Sequence, residues 1–298
     1  MLSLLTNTSA MTALRSLTMI QAELASTERE MSTGLAVSQP SDNPLAWSQV
    51  TKMQSDVGAL GVALTALSES ASTASTMTAA MTASISVMDV LKNDLVSAEN
   101  PGADLGKIQT DIVAQQTLLQ SIATSANFNG QNWLATTGST VSMVSSYDST
   151  GGVSTIDIDT SHTALFSLTP SGTVAATGIL GSAGANYGAA SVMTLDITGA
   201  TSGDIGNMLK DVETALNSMT TAASTIGATS TNLSVQQTFV SNLSDSLTSG
   251  VGALIDADMN EVATRLAALQ VQEQLAIEAL SIANSNATMI LKLFGING

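Results

Sequence analysis

Hydrophobic residues recur at alternating steps of four and three near both ends of this 298-residue chain. At the C-terminal end the series is Ile255, Met259, Val262, Leu266, Leu269, Ala276, Leu280, Ala283, Ala287, Ile290 and Phe294, interrupted by Glu273. Near the N-terminus it is Ala10, Ala13, Leu17, Ile20, Leu24 and Met31, with Thr27 as the weak position. Such spacing sets side chains along one seam of a helix. A helix cannot bury a seam against itself, so each terminal helix needs a partner, and the nearest candidate is the other.

The same periodicity predicts two long helices between the ends. One follows Val50, Met53, Val57, Leu60, Leu64, Leu67, Ala71, Ala74, Met81, Ile85, Met88 and Leu95, with Thr78 and Lys92 as polar exceptions. The other follows Ile205, Leu209, Val212, Leu216, Met219, Ala223, Ile226, Leu233, Val240 and Leu247, with gaps at Ser230 and Gln237. A shorter helix is expected on Leu105, Ile108, Ile112, Leu119, Ile122 and Ala126. Prolines stand at 40, 44, 101 and 170, where helices should break. Asp42 or Asn43 can cap the next helix, with Pro44 in its first turn. Asn100-Pro101-Gly102 and Asn127-Phe128-Asn129-Gly130 carry turn chemistry, and Gly250 with Gly252 should separate the last long rod from the terminal helix.

Residues 136–202 differ. They are rich in Gly, Ser and Thr and contain no Lys or Arg. Val153–Asp159 alternates like a strand, and Val192–Ile197 reads likewise. The fold class expected is mainly α: long antiparallel, coiled-coil-like helical rods from both chain halves, with a small β-rich inserted outer domain. The segments are 1–42, an N-terminal helix; 43–135, the first part of the helical rod domain; 136–202, the insert; 203–252, the second part of the rod; and 253–298, a C-terminal helix. The insert carries no long stripe and lies between helical halves, so its deletion should spare assembly.

Composition narrows the function. Eight basic against 24 acidic residues leave a net charge of −16, which disfavours nucleic acid and anionic membranes as partners. Aromatics make up only 3%, so Ala, Leu, Met, Ser and Thr must carry the packing. No cysteine is present, which removes disulfides, thiolate metal sites and Cys nucleophiles and fits a protein that crosses compartments unfolded. Mean hydropathy is +0.29, yet no run of consecutive apolar residues is long enough for a membrane span, and residues 1–20 lack the layout of a cleaved signal peptide.

Candidate chemistry is sparse. His162 is the only histidine, so paired-His zinc binding is out. Asp157 and Asp159 share a strand face and could meet a hard cation; a solvated face is the simpler reading. Asp256 and Asp258 could act as acid and base, but at a helix start they suit a cap. The Gly-rich run 178–188 lacks a Walker lysine or a GxGxxG frame. The 14 methionines sit mostly on helical stripes, where core packing is the default. No catalytic, cofactor or metal residues are assigned.

The helical layout and its end blocks resemble bacterial flagellin. The residues that carry this are Asn7–Leu17, Met31-Ser32-Thr33-Gly34-Leu35-Ala36-Val37, Ser41-Asp42-Asn43-Pro44, Asn127–Leu134, Ile255-Asp256-Ala257-Asp258-Met259, and Gln270–Phe294. The version here is most similar to flagellins of alphaproteobacteria such as rhizobia; Ala36 stands where the family usually has Arg. The resemblance implies a non-enzymatic structural subunit that polymerises into the extracellular filament for swimming. It also implies export by the flagellar type III route without a cleaved signal. The terminal helices would form the inner tube. Its polymerisation seam would comprise Leu17, Ile20, Leu24, Met31, Met259, Val262, Leu266, Leu269, Leu280, Ile290 and Phe294, and an interdomain spoke or turn Asp42, Asn43, Pro44, Asp256 and Asp258. Partners implied are further copies of the chain, other flagellins, hook-associated and cap proteins and an export chaperone, with no nucleic acid, membrane or cofactor. The rival readings are a hook–filament junction protein, which shares the terminal blocks; a chemoreceptor-type coiled coil, which would need membrane spans; and an enzyme, which would need a site.

Overall fold

The computed structural model describes residues 7–148, 152–167, 174, 175, 177–188 and 190–293. Its elements are helices α1 (Thr8–Thr33), α2 (Pro44–Ala98) and α3 (Leu105–Ser125), strands β1 (Thr140–Asp148) and β2 (Gly152–Asp159), a one-turn helix α4 (Gly178–Gly181), and helices α5 (Ser202–Ile255) and α6 (Met259–Leu293). The chain divides into two compact units: residues 1–57 with 245–298, and residues 58–244.

Caps and turns set the helix ends. Asn43 Oδ1 accepts from Ala46 N at 3.1 Å, which with Pro44 in the first turn starts α2. Asp104 Oδ1 accepts from Lys107 N at 3.2 Å at the start of α3. Asn129 and Gly130 hold φ of 50° and 81°, the left-handed region in which Asn and Gly are the least strained residues. They turn the chain so that Phe128 pairs with Gln131, and Asn132 then caps α3 by donating to Ala123 O at 2.7 Å.

In the central unit the buried row of α2 is Leu60, Ala63, Leu67, Ala74, Met77, Met81, Ser84, Met88, Leu91 and Leu95. On α5 it is Ile205, Met208, Val212, Ala215, Met219, Ala222, Ile226, Thr229, Leu233 and Val240. Both rows correct the sequence reading in the same way. At most second steps the core takes the residue one earlier: Ala63 rather than Leu64, Met77 rather than Thr78, Leu91 rather than Lys92, Met208 rather than Leu209, Ala222 rather than Ala223; at Ser70/Ala71 and Gln236/Gln237 both residues are half-buried. The polar exceptions were products of that slip. Lys92 sits on the rim and pairs with Glu213 at 2.8 Å, and Leu64, Leu209 and Leu216 flank the core half-buried. Small residues at the inner positions let helices approach closely, and larger neighbours cover the flanks. Thr and Ser on these helices turn their hydroxyls back onto the carbonyl four residues earlier, as Thr73 does to Glu69 and Thr229 to Thr225. By length and composition α2 could cross a membrane, and a third of that apolar window is buried inside the protein.

The insert contains one antiparallel hairpin. β1 pairs with β2 from Thr140 opposite Asp159 to Asp148 opposite Gly152, with an irregularity between Val144 and Ser146. Val192–Ile197 is not a strand. Ser191 and Thr194 form a reciprocal capping box around a 3-10 turn at Val192–Thr194, so the backbone curls instead of extending. Val192, Leu195 and Ile197 are buried, and their main chain is held by α3: Gln116 Nε2 donates to Val192 O at 2.9 Å, Gln109 Nε2 to Leu195 O at 3.3 Å, and Ile197 N to Gln109 Oε1 at 2.8 Å. This stretch of the insert is therefore built into the helical unit. Gly250 and Gly252 do not separate helices: α5 runs through both and ends at Ile255.

Asp211 on α5 organises the loop before it. Its carboxylate accepts from Asn186 N at 3.1 Å, Asn186 Nδ2 at 2.6 Å and Tyr187 N at 2.9 Å, and a side chain at Gly184 would collide with it. Partial burial pushes the Asp211 pKa up, but these hydrogen bonds outweigh it and hold it below the ordinary carboxylate value. A depressed folded pKa contributes stability that is complete above about pH 4 and lost as pH falls through the folded value. The amide resonances of Asn186 and Tyr187 should therefore shift as the pH drops below about 4. In Asp211→Asn that acid transition should vanish. Its persistence in the variant would mean that another group holds the loop.

Candidate assembly interface

The functional candidates lie on the paired terminal helices. Asn7 starts α1 by accepting from Ala10 N at 3.1 Å, and Gly34, at φ 72°, ends it. Asp258 starts α6, accepting from Asn260 N at 2.9 Å and Glu261 N at 3.4 Å. It is thus a cap. Between these ends the chain segments after α1 and after α5 join. Leu35 and Asp256 form an antiparallel bridge, Ala36 N donates to Ile255 O at 2.6 Å, and Ala257 N to Gly34 O at 2.9 Å. Asp42 folds the next turn: its carboxylate accepts from Ser38 N at 3.1 Å and Gln39 N at 3.0 Å. Desolvation is the largest single influence and raises its pKa, but the hydrogen bonds from the backbone and side chains of Ser38 and Gln39 together hold it below the ordinary carboxylate value. The turn residues Asp42, Asn43, Pro44, Asp256 and Asp258 therefore shape two connections, and Asp256 belongs to the bridge rather than to a helix.

α1 and α6 pack antiparallel. Asn7 Nδ2 donates to Ala283 O at 3.0 Å, Gln21 Nε2 to Glu273 Oε1 at 3.2 Å, and Arg265 Nη1 lies 3.7 Å from Glu30 Oε2. The two sequence seams are the inward faces of this pair. Thr27, Val262 and Leu269 are buried, while Leu17, Ile20, Leu24, Leu266 and Leu280 are half-buried. Met31 and Met259, at the bridge end, remain 38% and 42% exposed. The side chain of Ile290 and the whole of Phe294 lie outside the described residues. The two interruptions of the seams have local explanations. Glu273 takes the Gln21 hydrogen bond, and Thr27 bonds its own helix at Glu23 O, 2.9 Å away.

Sequence reasoning missed the opposite face. On α6, Val271, Leu275, Ile282 and Met289 are 56–62% exposed, and on α1 Met11, Leu14 and Met19 are 50–62% exposed. The α6 residues are spaced four, seven and seven apart, a second row about 200° round from the inner seam. The signal was present two positions after some of the inner residues, at 271 after 269 and at 282 after 280. It was hidden because Glu278 and Ser285 occupy its alternate steps.

Models of the bacterial flagellin N-terminal helical region and C-terminal helical region match residues 4–139 and 209–294. Flagellin C of Rhizobium meliloti (strain 1021) is 37% identical over 99% of both chains. The chain belongs to the flagellin family. The flagellin of Brucella melitensis biotype 1 is 38% identical over 99% of both chains, and Flagellin A of Rhizobium meliloti 34% identical over 99% of this chain and 100% of that one. This flagellin is thus a structural subunit of the bacterial filament that serves motility. Its family works by self-polymerisation outside the cell and not by catalysis. The relatives are named flagellins, and none of the comparisons favours the hook–filament junction. Among the described residues no group of three His, Cys, Asp or Glu could hold a metal ion. His162 is an exposed turn residue 3.8 Å from Asp159.

Proposed function

We propose that the α1–α6 pair is the assembly module of this flagellin, and that copies join through its outer row. The inner seam residues Leu17, Ile20, Leu24, Met31, Met259, Val262, Leu266, Leu269 and Leu280 hold the pair together. The outer row Val271, Leu275, Ile282 and Met289 meets the neighbouring copy. The observation that carries this is the coexistence on one helix of a seam that packs on α1, buried at Val262 and Leu269, and an opposite apolar row that is exposed. Each Leu or Ile buried on joining contributes about 1.5–3 kcal/mol. Repetition of one non-closing contact then gives a helical polymer. In the filament these helices line the inner tube, segments 43–135 and 203–252 surround it, and 136–202 faces outward. The bridge of Leu35 with Asp256, and the turn at Asp42–Pro44, form the spoke. The absence of cysteine suits export in unfolded form through the flagellar type III route. Hook-associated and cap proteins, an export chaperone and co-assembling flagellins are the further partners this reading entails.

The double variant Leu275→Asp/Ile282→Asp separates the two faces. It leaves the inner seam untouched, so the monomer should keep its helix content by circular dichroism. It should fail to elongate on filament seeds, because each buried carboxylate would lack a partner. Elongation at the wild-type rate would show that the outer row is not where copies meet.

A further inference from the structure

Two glycines, Gly58 and Gly61, lie in the interior of the 55-residue helix α2. Glycine there weakens a helix because it has the most backbone freedom to lose and leaves the backbone open to water. Interior glycines usually persist where a side chain would collide with something. Here a Cβ at either position would meet nothing within 4 Å. Both residues are exposed, while Leu60 and Ala63 on the opposite face are buried. Packing therefore gives no reason for them.

Their position does. α2 passes from the terminal unit to the central unit between Val57 and Gly58, and α5 returns between Ser244 and Asp245. The returning helix also carries paired glycines just beyond its crossing, Gly250 and Gly252. Neither is compelled by backbone contact. A Cβ at Gly250 would meet the terminal methyl of Met53 at 3.1 Å, and one at Gly252 would meet the exposed carboxylate of Asp256 at 2.7 Å. Both obstacles are ends of movable side chains. Gly227 has open space too, but stands alone.

We infer that Gly58–Gly61, supported by Gly250–Gly252, is a built-in flex segment at which the long helices open locally. The weakened turn lets a subunit adjust its backbone without disturbing either hydrophobic core. The flexing is a property of the single chain; its use in adjusting subunits within a filament rests on the assembly reading above.

Amide hydrogen exchange on the monomer tests the flexing. Residues 56–64 should exchange faster than the core stretch 77–91 of the same helix. In Gly58→Ala/Gly61→Ala, exchange at 56–64 should slow on the order of tenfold, with 77–91 unchanged. Electron microscopy of seeded filaments tests the use: variant filaments should form but with altered curvature. Exchange at 56–64 that the alanines do not slow would overturn the inference. So would blocked assembly with unchanged exchange, since that is the result of a neighbour's close approach rather than of bending. Slowed exchange with wild-type curvature would overturn the role in the filament. If neither chain elongates on seeds, the assembly reading fails while the exchange result still decides the flexing.

Discussion

Removal of residues 257–298 is expected to leave a monomer that does not polymerise under any seeding condition. The deletion takes away α6 and with it both faces, the seam that holds α1 and the outer row. α1 should be lost as well. It has 26 residues with only small or medium apolar side chains on its seam, and its cross-helix anchors to Ala283, Glu273 and Arg265 disappear. Isolated helices of this kind are marginal in water, because nucleation costs more than the first turns return. The drop in helical circular dichroism should therefore exceed what the removed residues account for. The central unit should still melt cooperatively, since its buried rows on α2, α3 and α5 are intact. Filaments of normal diameter from the truncated chain would refute the placement of the assembly module on α1 and α6.

Deleting the whole insert, residues 136–202, should unfold much of the central unit rather than spare it. Val192, Leu195 and Ile197 are buried in the central unit, and each such side chain contributes about 1.5–3 kcal/mol. Gln109 and Gln116 would also lose the main-chain partners that now satisfy them. A shorter excision should behave differently. Ser139 and Thr160 are already bonded across the base of the hairpin, with Thr160 N donating to Ser139 O at 3.1 Å and Ser139 N to Thr160 Oγ1 at 2.9 Å. Removing 140–159 and joining these ends costs the half-covered hairpin but leaves the α3 contacts in place. Thermal melts should show a large loss of stability for the long deletion and a modest one for the short. Equal melting of the two would mean that residues 190–199 do not support the rod.

The long helices, the breaks at Asn43-Pro44 and Asn100–Gly102, and the pairing of the two terminal helices were legible in the sequence because each rests on strong local signals, whereas Gly250 and Gly252 signalled a break that α5 does not make. Heptad spacing, Asn43-Pro44 and Asp258 needed no tertiary information. The register within each stripe was not legible. A choice between steps of three and four depends on which neighbour covers the helix, so Leu64 was read as core when Ala63 is. The strand expected at Val192–Ile197 failed for a related reason. Its alternation of apolar residues is real, but the side chains serve a turn whose shape is fixed by Ser191, Thr194 and two glutamines far away in sequence. The outer row of α6 is hard to read from the sequence because Glu278 and Ser285 interrupt it.

Electron cryo-microscopy of filaments grown from the purified chain on seeds tests the central claim most directly. The account predicts filaments in which α1 and α6 of each copy remain paired and Leu275 and Ile282 are buried against the next copy. Contradiction would come from a chain that never elongates, or from filaments in which those two side chains face water.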